Sequence, residues 1–319
     1  MIEPSKLRTV FMGTPDFACD TLQGLIDAGV NLVGVFTQPD RPKGRGKKLA
    51  PPPVKVLAAE HSVPVFQPQR LRKPEAVEEL RQLQPDLVVV VAYGQILPKD
   101  VLDIPPHGCI NVHASLLPKY RGAAPINQAI IDGESGTGIT TMLMDEGLDT
   151  GDMLVKRSLD IGPNETAGEL HDRLAKLGRE TMEETLRLLC AGELKPEKQD
   201  DALTSYAPML KKEDGQIDWT QPAAVIHNRV RGLSPWPGAF TCLRGELLKI
   251  AKTRVAEGTG QPGEVLSANA EGVVIACGQQ ALTLGALQLP GKKMLPAADF
   301  LRGNELRAGE TLENMPDAN

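Results

Sequence analysis

The sequence is poor in aromatic residues, which make up only 3% of its 319 residues. A protein that stacks many nucleic-acid bases on aromatic side chains is therefore disfavoured. The five cysteines are odd in number, widely spaced and never arranged as Cys-x-x-Cys, so a disulfide framework and a zinc ribbon are disfavoured as well. No run approaches the roughly 18 consecutive apolar residues of a membrane span. We expect a cytoplasmic protein with reduced thiols, no signal peptide and no membrane partner.

Motifs for metal and dinucleotide binding are also missing. There is no His-Glu-x-x-His, and the turn Gly13-Thr14-Pro15 lacks the Gly-x-Gly-x-x-Gly spacing of a nicotinamide site. We expect neither a metal ion nor a nucleotide cofactor.

The composition is that of an ordinary folded chain, with 41% hydrophobic and 24% charged residues. The length suits two domains. A net charge of −6 argues against a wholly basic nucleic-acid-binding protein but leaves room for a local basic site.

The first 190 or so residues alternate strand-like and helix-like segments. Leu87–Ala92 contains four consecutive valines and is typical of a strand buried on both faces of a parallel sheet. The alternation predicts an α/β domain with a Rossmann-like, doubly wound, mostly parallel sheet, which binds ligands at the carboxyl ends of its strands. The predicted strands are Leu7–Met12, Asn31–Thr37, Pro64–Phe66, Leu87–Ala92, Gly108–His113, Thr137–Met144 and Met153–Leu159, and the predicted helices run from Asp16 to about Ala28 and over Pro74–Leu83 and Glu169–Cys190.

From Gly192 the composition changes. A polar stretch with two prolines and little periodicity predicts a linker. A helix over about Pro222–Val230 then precedes short strand-like runs separated by glycine-containing turns, a pattern typical of a small β-barrel. These runs are Ala239–Leu243, Leu247–Lys252, Gly263–Leu266, Gly272–Ala276 and Ala281–Leu287. We expect a catalytic domain at 1–193, a linker at 194–209 and a second domain at 210–319.

The predicted strand that ends at His113 carries a catalytic pattern. Asn111 and His113 are two residues apart, so in a strand their side chains point the same way. An amide and an imidazole together can stabilise a developing oxyanion, and a nearby carboxylate can orient the imidazole and take up a proton. That chemistry suits transfer of an acyl group to an amine. A polar strand end without function has the same two-residue spacing.

The carboxylate is expected in the glycine-rich loop that follows. Asp149 lies between two glycines, but Asp145 and Asp152 are nearby, and spacing alone does not choose among the three. The segment Ser115–Pro118 continues from the catalytic strand and can offer backbone polar groups and apolar walls to a ligand, or form an ordinary packed loop.

Basic residues are concentrated in one early loop. Five cations and one carboxylate fall within residues 38–48, among glycines and prolines that predict neither helix nor strand. The loop is either a solvated surface segment or a site that captures a polyanion. Its cations are Arg41, Lys43, Arg45, Lys47 and Lys48.

A second basic region lies in the β-rich half. Six cations fall between residues 229 and 254 against one acid, Glu246, as expected where a nucleic-acid backbone lies across a barrel. These cations are Arg229, Arg231, Arg244, Lys249, Lys252 and Arg254.

Together these motifs resemble the methionyl-tRNA formyltransferase family, from Leu7 to the last predicted barrel strands. The pair Asn-x-His-x-Ser-Leu-Leu-Pro and Asp-x-Gly-x-Asp-x-Gly is shared with other folate-dependent formyltransferases, so it specifies the chemistry and not the acceptor. The segments that carry the resemblance are Gly13–Ala18, Thr37–Lys48, Val90–Gly94, Ile96–Pro98, Cys109–Ile126, Met144–Gly151 and Pro235–Phe240.

The resemblance implies a function and roles for particular residues. It implies formyl transfer from 10-formyltetrahydrofolate to the amino group of methionine on initiator Met-tRNA. We expect the protein to be a monomer. Asn111, His113 and Asp149 would be catalytic, which decides among the three carboxylates. Ser115, Leu116, Leu117 and Pro118 would line the folate site. The loop Arg41–Lys48 would enter the acceptor arm of the tRNA, and an OB-like C-terminal barrel would hold the RNA backbone.

Two other functions stay open. The same chemistry could act on the amine of a sugar nucleotide or of glycinamide ribonucleotide. A non-catalytic RNA-binding module on an α/β scaffold is the alternative from a different class.

Overall fold

The computed structural model describes residues 2–43 and 48–314. Within them the chain divides into two compact units. Unit 1 comprises Met1–Gly122, Thr137–Leu159 and His171–Tyr206, and unit 2 comprises Ala123–Gly136, Asp160–Leu170 and Ala207–Asn319. The domain boundaries at residues 193 and 210 stay a prediction.

The strands follow the order expected from the sequence. In the described part of the chain they are β1 Arg8–Gly13, β2 Asn31–Phe36, β3 Arg41–Lys43, β4 Lys48–Ala50, β5 Val65–Phe66, β6 Leu87–Val91, β7 Cys109–His113, β8 Arg121–Gly122, β9 Gly136–Leu143, β10 Met153–Asp160, β11 Tyr206–Ala207, β12 Ala239–Leu243, β13 Glu246–Ala256, β14 Val265–Asn269, β15 Gly272–Ala276, β16 Ala281–Gln288 and β17 Leu295–Pro296.

The helices include several that the sequence analysis did not predict. Over the same residues they are α1 Phe17–Asp27, α2 Pro53–Glu60, α3 Pro74–Gln82, α4 Lys99–Leu102, α5 Pro125–Ile131, α6 Ala167–Ala191, α7 Ala223–Gly232 and α8 Ala297–Gly303, with 3-10 turns at Pro4–Lys6, Asp201–Leu203 and Glu213–Gly215. None of these helices is both long enough and apolar enough to cross a bilayer.

Unit 1 is built on a seven-stranded sheet of described strands in the order β10-β9-β7-β6-β1-β2-β5. Strands β5, β2, β1, β6 and β7 pair in parallel, and β9 pairs antiparallel with β7. Every residue of β6 is buried, because helices on both sides of such a sheet remove its central strands from water. The predicted doubly wound, mostly parallel sheet is confirmed.

The loops that leave the carboxyl ends of β1, β2 and β6 are hydrogen-bonded to one another. The Thr14 hydroxyl donates to the Tyr93 carbonyl at 2.9 Å and accepts from the Gln38 backbone N–H at 3.3 Å. The Gln38 side chain also donates to the Tyr93 carbonyl at 3.3 Å. These bonds fix one rim of the sheet, the rim on which β7 also ends.

The basic loop contains structure that the sequence analysis excluded. Strands β3 and β4 form an antiparallel pair in which Arg41, Pro42 and Lys43 oppose Ala50, Leu49 and Lys48. The expectation that glycine and proline would prevent any strand here was therefore wrong. In a two-stranded ribbon every second N–H points away from the partner, so Pro42 costs no ladder hydrogen bond.

Unit 2 contains an antiparallel barrel. Its strands follow the order β12-β13-β16-β15-β14, with β17 beside β16. Segment 309–313 closes the ring, since Val265 at one edge donates to the Glu310 carbonyl at 2.7 Å while Cys242 at the other edge donates to the Glu313 carbonyl at 2.8 Å. Glu313 returns a bond of 2.9 Å to Cys242. The predicted β-barrel is confirmed.

Two buried side chains of α7 hold segment 160–170 in unit 2. His227 lies 3.1 Å by Nε2 from the Pro163 carbonyl and 2.9 Å by Nδ1 from the Thr253 hydroxyl. Since a carbonyl can only accept, Nε2 carries the proton and neutral Nδ1 accepts from the hydroxyl. Arg231 donates to the carbonyls of Gly162 and Glu165 at 3.2 and 3.0 Å.

Candidate active site

Strand β7 presents Asn111 and His113 from inside the sheet. Asn111 is paired with Val90 of β6 and Met142 of β9, so both neighbouring strands hold its backbone. His113 is only 5% exposed. The two side chains share a face, as their spacing predicts.

The imidazole of His113 is oriented by a backbone carbonyl. Its Nε2 lies 2.9 Å from the Tyr120 oxygen, which can only accept, so Nε2 carries a proton. Nδ1 is then the nitrogen that faces Asp149, 3.7 Å from Oδ2. In this geometry Nδ1 has a proton to donate to an oxyanion only in the imidazolium.

Asp149 lies between the two side chains of β7. Its Oδ2 accepts from the Gly122 N–H at 2.8 Å, and its Oδ1 is 3.5 Å from the Asn111 amide nitrogen, the upper limit of a hydrogen bond. Asp149 adopts a left-handed backbone with φ of 54°. The structure therefore brings the three predicted catalytic residues together, with polar distances of 3.5 and 3.7 Å.

The competing carboxylate Asp145 has a different environment. Its Oδ1 accepts from the Gly147 N–H at 2.9 Å and from the Thr150 hydroxyl at 2.6 Å. Asp145 thus shapes the turn that leads to Asp149, whereas Asp149 faces the β7 side chains.

The segment Ser115–Pro118 is tied to the protein by its own polar groups. The Ser115 hydroxyl donates to the Lys119 carbonyl at 2.6 Å, and the Thr140 hydroxyl bridges the Ser115 carbonyl and the Leu117 N–H at 2.7 and 3.1 Å. Leu117 is 1% exposed, while Leu116 and Pro118 are half-buried. If this segment lines a ligand site, its contribution is the apolar surface of Leu116 and Pro118.

Several residues that support the site were not predicted. The backbone of Tyr120 contacts His113, and that of Gly122 contacts Asp149. Gln199 donates from its amide to the carbonyls of Asp149 and Gly151, both at 2.8 Å. Gln199 lies 50 residues from Asp149 in a stretch that was expected to be a linker, and no local pattern pointed to it.

The predicted tRNA-binding loop lies partly outside the described residues. Arg45 and Lys47 fall there, while Arg41 and Lys48 are exposed. The Arg41 guanidinium is held beside Gln38 by a 3.1 Å bond to its amide oxygen. The base of the loop is thereby connected to the same rim as the loops that follow β1 and β6.

The second basic region separates into two groups. Arg229 donates to the Asp214 carbonyl at 2.5 Å, Arg231 is buried, and Arg244 pairs with Glu310 at 2.6 Å. These three cations are engaged within unit 2. The other three are exposed on β13: Lys249, Lys252 and Arg254.

The described residues offer little support for metal catalysis or for catalysis by a cysteine nucleophile. Among residues 2–43 and 48–314, no group of three or more His, Cys, Asp and Glu side chains could hold a metal ion. Cys109, on the same strand as Asn111 and His113, is 1% exposed, and burial raises the pKa of its thiol to about 12. A thiol in that state is a poor nucleophile.

The comparisons with known families cover most of the chain. Residues 7–186 match the formyl transferase family, and residues 209–305 match the formyl transferase C-terminal domain. The chain is 61% identical over 306 residues to the methionyl-tRNA formyltransferase of Geobacter sulfurreducens, spanning 96% of each protein. It is 51% identical over 310 residues to that of Ruminiclostridium cellulolyticum, spanning 96% of this chain and 99% of the relative.

Solved structures with the same fold are more distant. An N-formyltransferase from Helicobacter canadensis, in complex with folinic acid and dTDP-3-aminofucose, superposes with a TM-score of 0.68 at 18% identity, covering 89% of this chain and 99% of that one. HypX from Aquifex aeolicus, in complex with tetrahydrofolic acid, gives 0.63 at 19% identity, covering 92% and 46%. At these identities the likeness extends to the fold alone. Given the family match over more than half its length and relatives of high identity along nearly all of it, the chain belongs to the folate-dependent formyltransferases and, within them, to the methionyl-tRNA formyltransferase family.

Proposed function

We propose that this protein transfers a formyl group from 10-formyltetrahydrofolate to the amino group of methionine on initiator Met-tRNA. The observation that carries the proposal is the convergence of Asn111, His113 and Asp149 in a chain that is 61% identical to a methionyl-tRNA formyltransferase along 96% of its length.

The reaction requires an oxyanion site and a proton acceptor. A bond forms between the amino nitrogen of methionine and the formyl carbon, and the bond from that carbon to the folate nitrogen breaks. One proton moves from the attacking nitrogen to the leaving nitrogen. The folate supplies the activated formyl group and the leaving amine, and the protein supplies the groups that stabilise charge and carry the proton.

Asn111 and His113 are suited to the developing oxyanion. The Asn111 amide is an uncharged donor, and its 3.5 Å separation from Asp149 leaves it ready to bond elsewhere. His113 offers Nδ1, because the Tyr120 carbonyl engages Nε2. Each donor of this kind contributes about 3 kcal/mol to lowering a barrier.

Asp149 supports the imidazolium and receives the proton of the amine. Its Oδ2 is 3.7 Å from His113 Nδ1 and is kept in place by the Gly122 N–H. A carboxylate there faces the ring nitrogen that would donate to the oxyanion and so orients the imidazole.

The residues near β7 fit a folate. Leu116 and Pro118 are half-buried beside a catalytic strand, on a loop whose polar groups bond within the protein. Such a loop presents a fixed apolar wall, which suits a flat ring system next to polar catalytic groups. We therefore propose Ser115–Pro118 as part of the folate site.

We propose the basic loop as the element that selects tRNA. Changing Arg41, Lys43 and Arg45 to alanine should weaken use of Met-tRNA and flatten its salt dependence, by about 0.7–0.9 in the log–log slope for each phosphate that the variant no longer neutralises. The measurement is kcat/KM for Met-tRNA at salt concentrations from about 50 to about 200 mM, with initiator and elongator tRNA compared.

A matched control is available in unit 1. Arg70, Arg72 and Lys73 are three exposed cations close together in sequence, and their triple alanine variant loses the same charge. Equal effects of the two triple variants would show that the loop contributes only its positive charge and no specific contact with tRNA. An unchanged salt slope in the loop variant, with activity on a sugar-nucleotide amine or glycinamide ribonucleotide instead, would replace the proposed acceptor.

We further propose that the protein works as a monomer in the cytoplasm, where aminoacylated tRNA is used. Sedimentation equilibrium at micromolar concentration tests the first statement, and cell fractionation tests the second.

A further inference from the structure

Gln199 joins the loop that carries Asp149 to strand β8. Its amide nitrogen donates to the carbonyls of Asp149 and Gly151, each at 2.8 Å. Its amide oxygen accepts from Nε of Arg121 at 3.0 Å. One side chain thus bonds the loop after β9 to strand β8.

Strand β8 and the residue before it contact two of the three proposed catalytic side chains, His113 and Asp149. The Tyr120 carbonyl accepts from His113, and the Gly122 N–H donates to the Asp149 carboxylate. The separation of the 120–122 segment from the 149–151 loop therefore sets the distance from the carboxylate to the imidazole. Gln199 spans that separation.

The partner of Gln199 is fixed as well. The Arg121 side chain is only 3% exposed, and it also makes a 2.8 Å bond to Asp201, whose side chain is 86% exposed. The buried guanidinium is therefore held by two acceptors, the Asp201 carboxylate and the Gln199 amide oxygen. Gln199 connects this fixed group to the catalytic loop, because its amide oxygen accepts from Arg121 while its amide nitrogen donates to the loop carbonyls.

Asp149 also needs external support for its backbone. Its φ of 54° lies in the left-handed region that aspartate adopts at a cost. Gln199 binds the carbonyls of Asp149 and Gly151, which flank Thr150, the residue that follows Asp149. The amide of Gln199 thereby holds the strained turn in its conformation.

We propose that Gln199 is a positioning residue, which sets the Asp149 carboxylate relative to His113 by clamping the 149–151 loop to Arg121. This inference rests on the proposed function. Gln199 contacts none of the reacting atoms and acts only through Asp149 and the 120–122 segment. The proposal therefore predicts an effect on turnover rather than on substrate binding.

The test is a double-mutant cycle on kcat. Gln199→Leu should lower kcat by about tenfold to a hundredfold with KM for both substrates changed less than about threefold, since misplacement of a catalytic group by about 1 Å costs up to a hundredfold. In an Asp149→Ala background, which no longer contains the carboxylate to be positioned, the same substitution should have less than about a twofold effect.

Two further variants separate positioning from stability. Gln199→Glu keeps an acceptor for Arg121 but no longer donates to the loop carbonyls, so it should resemble Gln199→Leu in kcat. Thr185→Val removes a buried hydroxyl that bonds Thr141 at 2.8 Å and the Thr181 carbonyl at 2.7 Å, and should lower Tm without lowering kcat.

The outcomes distinguish the clamp from the function itself. Wild-type activity on Met-tRNA with an equal loss from Gln199→Leu in both backgrounds would overturn the clamp and leave the proposed function intact. A fall in kcat of the Thr185→Val variant in proportion to its Tm would also overturn it, because kcat would then follow stability alone. Absence of formyl transfer in the wild-type protein would refute the proposed function instead.

Discussion

Asp149→Asn tests the central electrostatic statement about the site. Asparagine has the shape of aspartate and tolerates the left-handed backbone of this position, so the substitution removes charge and little else. The contacts of the introduced side chain also determine the orientation of its amide group. With its oxygen toward the Gly122 N–H, its NH2 group faces the Asn111 amide, and the reverse orientation leaves the Gly122 donor without an acceptor.

The magnitude follows from one distance. Unit charges 3.7 Å apart interact by about 4.5 kcal/mol at an effective dielectric constant of about 20. The Asp149 side chain is 13% exposed, so solvent screens part of this energy, and about 3 kcal/mol is a reasonable remainder. A barrier raised by that amount corresponds to a roughly hundredfold fall in kcat.

The assay is single-turnover formyl transfer at saturating 10-formyltetrahydrofolate and Met-tRNA. Asp152→Asn serves as the control, because it makes the same change three residues away, and it should leave kcat within about threefold of wild type. Thermal unfolding checks that both variants are folded. A folded Asp149→Asn protein whose kcat is within about threefold of wild type would refute the assignment of a charged partner to His113.

Two other predictions concern unit 2. Changing Lys249, Lys252 and Arg254 to alanine should weaken tRNA binding and lower the slope of log affinity against log salt concentration by about 2. Arg244→Ala should change this slope little, because Glu310 already engages that cation. Equal slopes in the two variants would contradict the separation of the basic region into exposed and engaged cations. Burial lowers the pKa of His227 below its ordinary value of 6.5, and the nearby charge of Arg231 lowers it further. As the pH falls, this histidine is therefore protonated in the unfolded chain before it is protonated in the folded protein. The free energy of unfolding should consequently decrease as the pH drops below about 6.5. His227→Asn should show a smaller loss of unfolding free energy between about pH 7.5 and about pH 5.5 in urea titrations, and identical losses would exclude His227 as the cause.

Much of the sheet of unit 1 could be predicted from local sequence. The four valines of β6 indicate a strand buried on both faces, and Asn111 and His113 share a face because strand periodicity is two. Patterns of this kind depend on residues close in sequence, and they locate strands to within a residue or two.

Features that depend on distant residues could not be predicted. The six cations of the second basic region look alike in sequence, but Arg231 is buried against the carbonyls of Gly162 and Glu165, some 66 to 69 residues away. Gln199 is polar and lies in an aperiodic stretch, so only its folded position shows that it bonds the catalytic loop. The pairing of β3 with β4 was missed because strands of three residues are too short to show the alternation of polar and apolar residues that identifies a strand.

The closure of the barrel by segment 309–313 bears on how this protein is made. The ribosome synthesises β12 and β14 well before the residues that join them, so a nascent chain has both barrel edges unpaired until that segment leaves the exit tunnel. Unit 1 obtains all seven strands of its sheet by Asp160, long before that point. The catalytic sheet can therefore form during translation, whereas the ring of hydrogen bonds in unit 2 is completed only after segment 309–313 has been synthesised. In the interval, the nascent barrel has two unpaired edges, which expose it to aggregation.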